Sequence, residues 1–463
     1  MSHTPQRQRA YVETYGCQMN ISDGELMEGI LGDRGYEIVG APEDADVILV
    51  NTCAIREHAE RRVLGRVSQL NGLKRERPEL IIGVTGCMAQ RMGEKLLEDA
   101  PYVDLVMGPD GYRGLPEALD RLRSGSEAEH FVRPRTRKRG PQLAVLKLDL
   151  DENYQGLEQR RAKGPSAWVS VQRGCDHRCT YCIVPYVRGG EKNRSAVEVV
   201  SEVRGLAEQG VSEVTLLGQT VNSYVWNDVT FPELLRDVAR VDGIRRVRFT
   251  SPHPNDVTQE LVEVMAEEPG VCEQLHLPAQ SGNDRTLKRM LRRYTVEKLI
   301  EKVDLVRTAI PNVALSTDII VAFPGETDQE FHDTLDFMRT VRFDEAFTYK
   351  YSLRDGTPAT RLPEEDFVDQ DEAQERLALL IDVSRQIQAE INVAEVGGVA
   401  EVLIEGDGRD SGQLRGRTRR SKVVVFDGDP VRVGEYTNVL LERTTGATFV
   451  GSEIRAGRSA VVV

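Results

Sequence analysis

The sequence predicts an α/β protein in three parts: a doubly wound parallel sheet, a partial (β/α) barrel of six units, and a small β-barrel at the end. Three observations predict it. In the first third, short apolar strands alternate with helical patterns. From Trp168 the alternation resumes through six strand–helix units, too few for an eightfold barrel. After residue 396 the apolar period changes to two, and turns rich in Gly and Asp separate short strands. At roughly 150 residues per domain, a chain of 463 accommodates these three parts.

The composition, 40% hydrophobic and 29% charged, is that of a globular chain with a sizeable core. No apolar run follows Met1, so no signal peptide is expected, and no stretch reaches the ~18 apolar residues of a membrane span. A cytoplasmic protein without membrane contact is expected. In a reducing compartment, seven Cys point to metal ligation rather than disulfides. A net charge of −14 argues against coating nucleic acid by bulk electrostatics. Two local basic runs remain, Arg133-Pro-Arg-Thr-Arg-Lys-Arg139 and Arg415-Gly-Arg-Thr-Arg-Arg-Ser-Lys422. Each alone reads equally well as a solvated loop.

The N-terminal strands are expected at 11–15, 47–50 and 81–84, with helices over 23–34, 56–75 and 91–99. The strands run into Gly16-Cys17, Asn51-Thr-Cys53 and Thr85-Gly-Cys87. Ligands of parallel sheets sit beyond the carboxyl ends of the strands. Each Cys lies two to three residues past an expected strand end, so one edge of the sheet collects all three. The plain alternative is three unrelated buried thiols. A polar linker follows, holding the first basic run and one short apolar strand, 143–150.

Strand 168–171 leads into Arg173-Gly-Cys175-Asp-His-Arg-Cys179-Thr-Tyr-Cys182. Three thiolates on one short loop can hold three irons of a four-iron cluster and leave the fourth open to an exchangeable ligand. Structural zinc, with His177 as fourth ligand, would crowd its whole ligand set into one short loop, unusually tight for a finger. The barrel continues with strands 213–217, 246–250, 274–277, 313–321 and 346–351 and helices 196–209, 232–240, 256–267, 284–293, 296–309 and 328–341. Polar or Gly-containing segments follow the strands: Gly218-Gln219, Ser251-Pro-His253, Pro278-Ala-Gln280-Ser281-Gly282, Phe323-Pro-Gly325-Glu326-Thr327 and Tyr351-Ser352. His253 between two prolines reads as structural and Cys272 as a core thiol.

A polar helix is expected over 363–396, then strands at 399–404, 423–426, 430–433, 437–442 and 448–451. The second basic run lies on the first long hairpin. Small barrels with cationic loops bind single-stranded or looped RNA.

The cysteine loop resembles that of the radical S-adenosylmethionine (SAM) enzymes, and nearly the whole chain resembles the radical SAM methylthiotransferases. Glu13-Thr-Tyr-Gly-Cys17-Gln-Met-Asn20, Asn51-Thr-Cys53 and Thr85-Gly-Cys87 are similar to that family's auxiliary-cluster motifs. Arg173 to Gly189 is similar to its radical SAM loop, and Gly416-Arg-Thr-Arg-Arg-Ser-Lys-Val-Val423 to its C-terminal TRAM module. One departure is Gly190, where the family pattern carries a basic residue. The similarity is greatest to the MiaB type, which adds a methylthio group to C2 of an isopentenylated adenosine just 3′ of the tRNA anticodon.

The resemblance implies two [4Fe-4S] clusters, one on Cys17, Cys53 and Cys87, the other on Cys175, Cys179 and Cys182. It implies SAM bound near Tyr181, Gln219, Ser281 and Glu326, with Gln219 placed for the methionine amine. It implies a tRNA anticodon stem-loop met by Arg415, Arg417, Arg419 and Lys422, an electron donor such as flavodoxin or ferredoxin, and a monomer. The expected domains are 8–124 with the auxiliary cluster, a linker over 125–160, the radical SAM core over 161–396 and the TRAM domain over 397–463. One SAM would methylate the sulfur and a second would yield the radical that abstracts the C2 hydrogen, with no side chain as general base. Two rivals stay open: a methylthiotransferase for threonylcarbamoyl-adenosine in tRNA or a ribosomal-protein aspartate, and a non-catalytic metal-bearing RNA-binding protein.

Overall fold

A computed structural model describes residues 7–54, 57–124, 131–132, 141–149, 151–161 and 164–454. The basic run 133–139 lies outside them. The chain divides into two units. One comprises Met1–Ala162, Gln172–Arg194 and Arg354–Thr357, and the other Lys163–Val171, Ser195–Leu353 and Pro358–Val463. The cysteine loop of the middle region thus groups with the N-terminal sheet.

The first unit is built on a seven-stranded sheet. Its order is Glu37–Ile38, Arg9–Tyr15, Val47–Thr52, Ile81–Gly86, Leu105–Met107, Gln142–Val145 and Phe131–Val132. All neighbours are parallel except the last pair. Val47–Thr52 and Ile81–Gly86 are buried along their whole length, as central strands covered on both faces must be. Leu26, Met27 and Ile30 of helix Gln18–Asp33 pack on one face with Leu115 and Leu119. Val63, Val67, Leu96 and Leu97 cover the other. The sheet is therefore doubly wound, and the strand order reverses between Arg9–Tyr15 and Val47–Thr52.

Two expected elements differ. The helix expected over 91–99 is two, Cys87–Met92 and Lys95–Asp99, broken at Gly93, whose φ is +59°. Within the stretch read as linker, Gln142–Val145 pairs with Leu105–Met107 as a full member of the sheet.

In the second unit, six parallel strands form two three-stranded sheets. The first sheet is Ser166–Ser170, Glu213–Leu217 and Arg246–Phe249, and the second is Gln274–His276, Ala314–Val321 and Glu345–Lys350. An isolated bridge pairs Val247 of the first sheet with Val271, just ahead of the second sheet's strand Gln274–His276. Val214, Leu216, Val247, Phe249, Leu315 and Ile319 pack outward onto the helices. Among the described residues no pairing joins Ser166–Ser170 to Glu345–Lys350, so the barrel is partial.

Helix Gln370–Glu395, capped by Asp369, leads to a closed five-stranded barrel. The expected strand over 430–433 is instead a 3-10 turn, Pro430–Arg432. Pro430 lacks a ladder donor, and the Asp429 carboxylate accepts from the Val431 amide. The strand that takes its place is Gln413–Thr418, which carries Arg415 and Arg417.

Candidate cluster sites and the barrel mouth

Cys17, Cys53 and Cys87 follow Tyr15, Thr52 and Gly86, which stand side by side in the register of three adjacent strands. The sheet therefore brings these thiols to one edge, at its switch point. Buried amides hold that edge together. The Asn20 side chain donates to the Thr52 carbonyl at 3.1 Å, and the Asn51 side chain donates to the Asn20 carbonyl at 2.7 Å. Thr52 Oγ1 donates to the Thr85 carbonyl at 2.6 Å. Gly86 has φ +92°, and a Cβ there would lie 2.4 Å from the Thr52 carbonyl oxygen, so only glycine lets the third strand end approach the second.

The electrostatics favour thiolate at Cys17 and oppose it at Cys87. A hydrogen bond from the Cys53 thiol, against the cost of burial and with help from the Arg188 charge, brings Cys17 down to about 6. Burial pushes Cys87 up, partly countered by Arg188. Arg188 itself is 2% exposed. Its Nε donates to Cys87 Sγ at 3.2 Å and its Nη2 to Asp23 at 2.6 Å. Burial works against the guanidinium charge, but Asp23 and the thiols outweigh it and hold its pKa well above the usual arginine value. Three converging thiols, one of them acidic, beside a buried cation are a donor set that fits an iron–sulfur cluster. Neither Arg188 nor Asp23 stood out in the sequence; the available signal was Arg188's place just after the cysteine loop.

The loop of Cys175, Cys179 and Cys182 rises from a short antiparallel pair, Gln172–Arg173 with Lys192–Asn193. Its base is clamped to the N-terminal region. Asp110 stands between Lys192 Nζ at 2.9 Å and Arg173 Nη1 at 3.6 Å, and the Arg173 guanidinium lies 3.5 Å over the Tyr154 ring. Within the loop, the Cys175 amide donates to the Gly189 carbonyl and the Cys182 amide to the Cys179 carbonyl. Tyr181 is half-buried beside Cys182. Gly174 has φ +75°, and a Cβ there would meet the Gly190 oxygen at 1.9 Å. The departure at Gly190 thus lies where the two arms of the loop touch. Gly174→Ala is expected to destabilise the protein by roughly 2 kcal/mol or more, read from chemical denaturation.

At the carboxyl ends of the barrel strands, three non-glycine residues adopt left-handed backbone: Ser251, Gln280 and Ala322. Such strain collects where a surrounding structure shapes a ligand site. Gln219 follows strand Glu213–Leu217, and among the described residues its buried Oε1 has no hydrogen-bond partner. That atom is an acceptor suited to an ammonium group, which fits the methionine end of SAM. Ser281 is fully buried and accepts from the Asn283 amide at 3.2 Å. Glu326 accepts from the Ala322 amide at 2.6 Å and from Arg376 at 3.0 Å. Burial nevertheless raises it to about 6, against the pull of both partners. His253 is buried, its backbone paired with Asn222, and it edges onto the Tyr294 ring. Cys272 is a buried thiol raised by burial.

Four of the five cations of the second basic run separate by position. Arg415 is exposed. Arg417 is part-exposed and pairs with Glu405 at 3.1 Å. Arg419 pairs with Glu273 at 2.8 Å and donates to the Val271 carbonyl at 2.6 Å. Lys422 is 8% exposed, with its ammonium held by Asp344 at 2.6 Å and Asn392 at 3.0 Å. Arg419 and Lys422 thus turn toward acids of their own unit, the part-exposed Glu273 for the first and the buried Asp344 for the second.

Residues 9–108 match the uncharacterized protein family UPF0004, residues 169–338 the radical SAM superfamily and residues 393–451 the TRAM domain. A tRNA-2-methylthio-N(6)-dimethylallyladenosine synthase from Chloroherpeton thalassium is 43% identical, covering 97% of each chain. The chain belongs to this synthase family. A second member, from Thermoanaerobacter sp. strain X514, is 43% identical over 97% of this chain and 93% of its own. Among solved structures, the radical SAM methyltransferase TsrM from Kitasatospora setae superposes with a TM-score of 0.59 at 15% identity, covering 76% of this chain and 75% of that one. That likeness concerns the fold. A member of the synthase family, the chain carries the three matched regions in order, and none of its described helices is long and apolar enough to cross a membrane.

Proposed function

We propose that this chain transfers a methylthio group to C2 of N6-dimethylallyladenosine just 3′ of the tRNA anticodon, using two SAM molecules and two [4Fe-4S] clusters. The observation that carries this reading is the meeting of Cys17, Cys53 and Cys87 at one sheet edge, in a chain that follows the synthase family from end to end. Cys175, Cys179 and Cys182 hold the cluster that binds SAM. When bound, that cluster supplies the electron for SAM cleavage, and the second centre supplies the sulfur. The adenine C2–H is neither acidic nor nucleophilic, so the chain needs no proton-transfer residue. Its own side chains place the reactants and exclude water. Gln219 accepts from the methionine amine, while Tyr181, Ser281 and Glu326 frame the rest of SAM. Arg415 and Arg417 meet tRNA phosphates, and Arg419 and Lys422 hold the TRAM barrel that presents them. Region 8–124 carries the auxiliary centre, 125–160 links, 161–396 is the radical SAM core and 397–463 the TRAM domain. The enzyme works in the cytoplasm as a monomer fed by flavodoxin or ferredoxin.

The test is nucleoside mass spectrometry. Anaerobically reconstituted protein is incubated with SAM, a reductant and tRNA lacking methylthio groups, which is then digested. The expected result is replacement of hydrogen by methylthio on dimethylallyladenosine. A mass gain confined to the threonylcarbamoyl nucleoside overturns the substrate, and 5′-deoxyadenosine without any modified nucleoside moves the target to a protein.

A further inference from the structure

Arg188 has more donors than its partners use. A guanidinium carries five N–H groups in a rigid fork. Nε meets Cys87 Sγ at 3.2 Å and Nη2 meets Asp23 at 2.6 Å. Among the described residues, Nη1 is buried without a hydrogen-bond partner, in a side chain that is 98% enclosed by its 2% exposure. Its position is not accidental. The short helix Val184–Val187 precedes it, and Ile183 and Val187 form one apolar cluster with Ala54 and Cys87. The segment that follows the Cys175–Cys182 loop is thereby packed against the turns of Cys53 and Cys87. Asp23, 3% exposed, neutralises the guanidinium but takes only one end of the fork.

We propose that Arg188 is the positioning residue for an anionic sulfur ligand at the Cys17/Cys53/Cys87 centre. The ligand class is a small sulfur anion, hydrosulfide or an alkylthiolate. Nη1 donates to it, as a charge-assisted hydrogen bond suited to a soft anion in a buried site. Asp23 fixes the fork so that this donor stays turned from solvent. This inference rests on the cluster reading given above.

The experiment uses the full chain with Cys175, Cys179 and Cys182 all replaced by Ala, so that iron is confined to the N-terminal site. Arg188→Lys keeps the charge without the fork. Arg188→Gln with Asp23→Asn removes both buried charges together and spares the fold an unpaired acid. Iron per chain is measured after anaerobic reconstitution. Sodium hydrosulfide is then titrated against the electron paramagnetic resonance spectrum of the reduced centre. The expected result is retained iron in both variants with hydrosulfide affinity weakened about tenfold or more, the contribution of one charge-assisted hydrogen bond. Superimposable titrations with full iron overturn this inference alone. Loss of iron from both variants overturns it too, because Arg188 would then hold only the thiols. Absence of iron from the parent overturns the cluster reading and this inference with it.

Discussion

Cys175→Ala is expected to abolish 5′-deoxyadenosine formation and methylthiolation together, both falling to the level without enzyme. Cys53→Ala is expected to leave measurable 5′-deoxyadenosine and no methylthio product. The asymmetry follows from where the two thiols sit. On the function proposed above, the three thiols of this loop would be the protein ligands of its cluster, and losing Cys175 would leave one more iron without a holder. Cys53 belongs to the sheet edge with Cys17 and Cys87, supported by the Asn20–Asn51–Thr52 network rather than by the loop. Chromatography of nucleosides from anaerobic turnovers checks both variants in one assay. Methylthio product from Cys53→Ala at the parent rate would remove the sulfur-donating role from the N-terminal centre.

Lys422→Met is expected to lower stability by about 3–5 kcal/mol, because it strands the buried Asp344 carboxylate. Asp344 also accepts from the Leu315 amide at 2.9 Å, so the acid cannot simply turn away. Urea denaturation measures the loss. Arg415→Ala should leave stability unchanged and reduce the salt dependence of tRNA binding by about one counterion, since an exposed cation acts through phosphate. A Lys422→Met protein with parental stability and weakened tRNA binding would reverse these roles.

The contrast between these two cations marks what could be read from sequence. Strand–turn–Cys recurs three times with apolar strands of similar length, so the sheet and its thiol edge were legible from residues near one another. Strand Gln413–Thr418 was hidden because its alternation is carried by arginines rather than by apolar side chains. The burial of Lys422 was hidden because its partner Asp344 is 78 positions away and nothing local reports the pairing. The turn at Pro430–Arg432 imitated a strand through Val431 and Val433, and only the missing proline donor argued against it. Arg188 and Asp23 are separated by 165 positions, and a charged pair acquires meaning only once the fold encloses it.

The clamp on Asp110 and the pairing of Asp23 also constrain how this protein is made. Both acids are synthesised early, with the sheet that encloses them. Their counter-charges, Arg173, Lys192 and Arg188, belong to the later stretch Gln172–Arg194. A nascent chain that ends before that stretch carries two carboxylates destined for burial and no cation to meet them. A fragment cut at the end of the sheet is therefore expected to be far less stable than its share of the core implies.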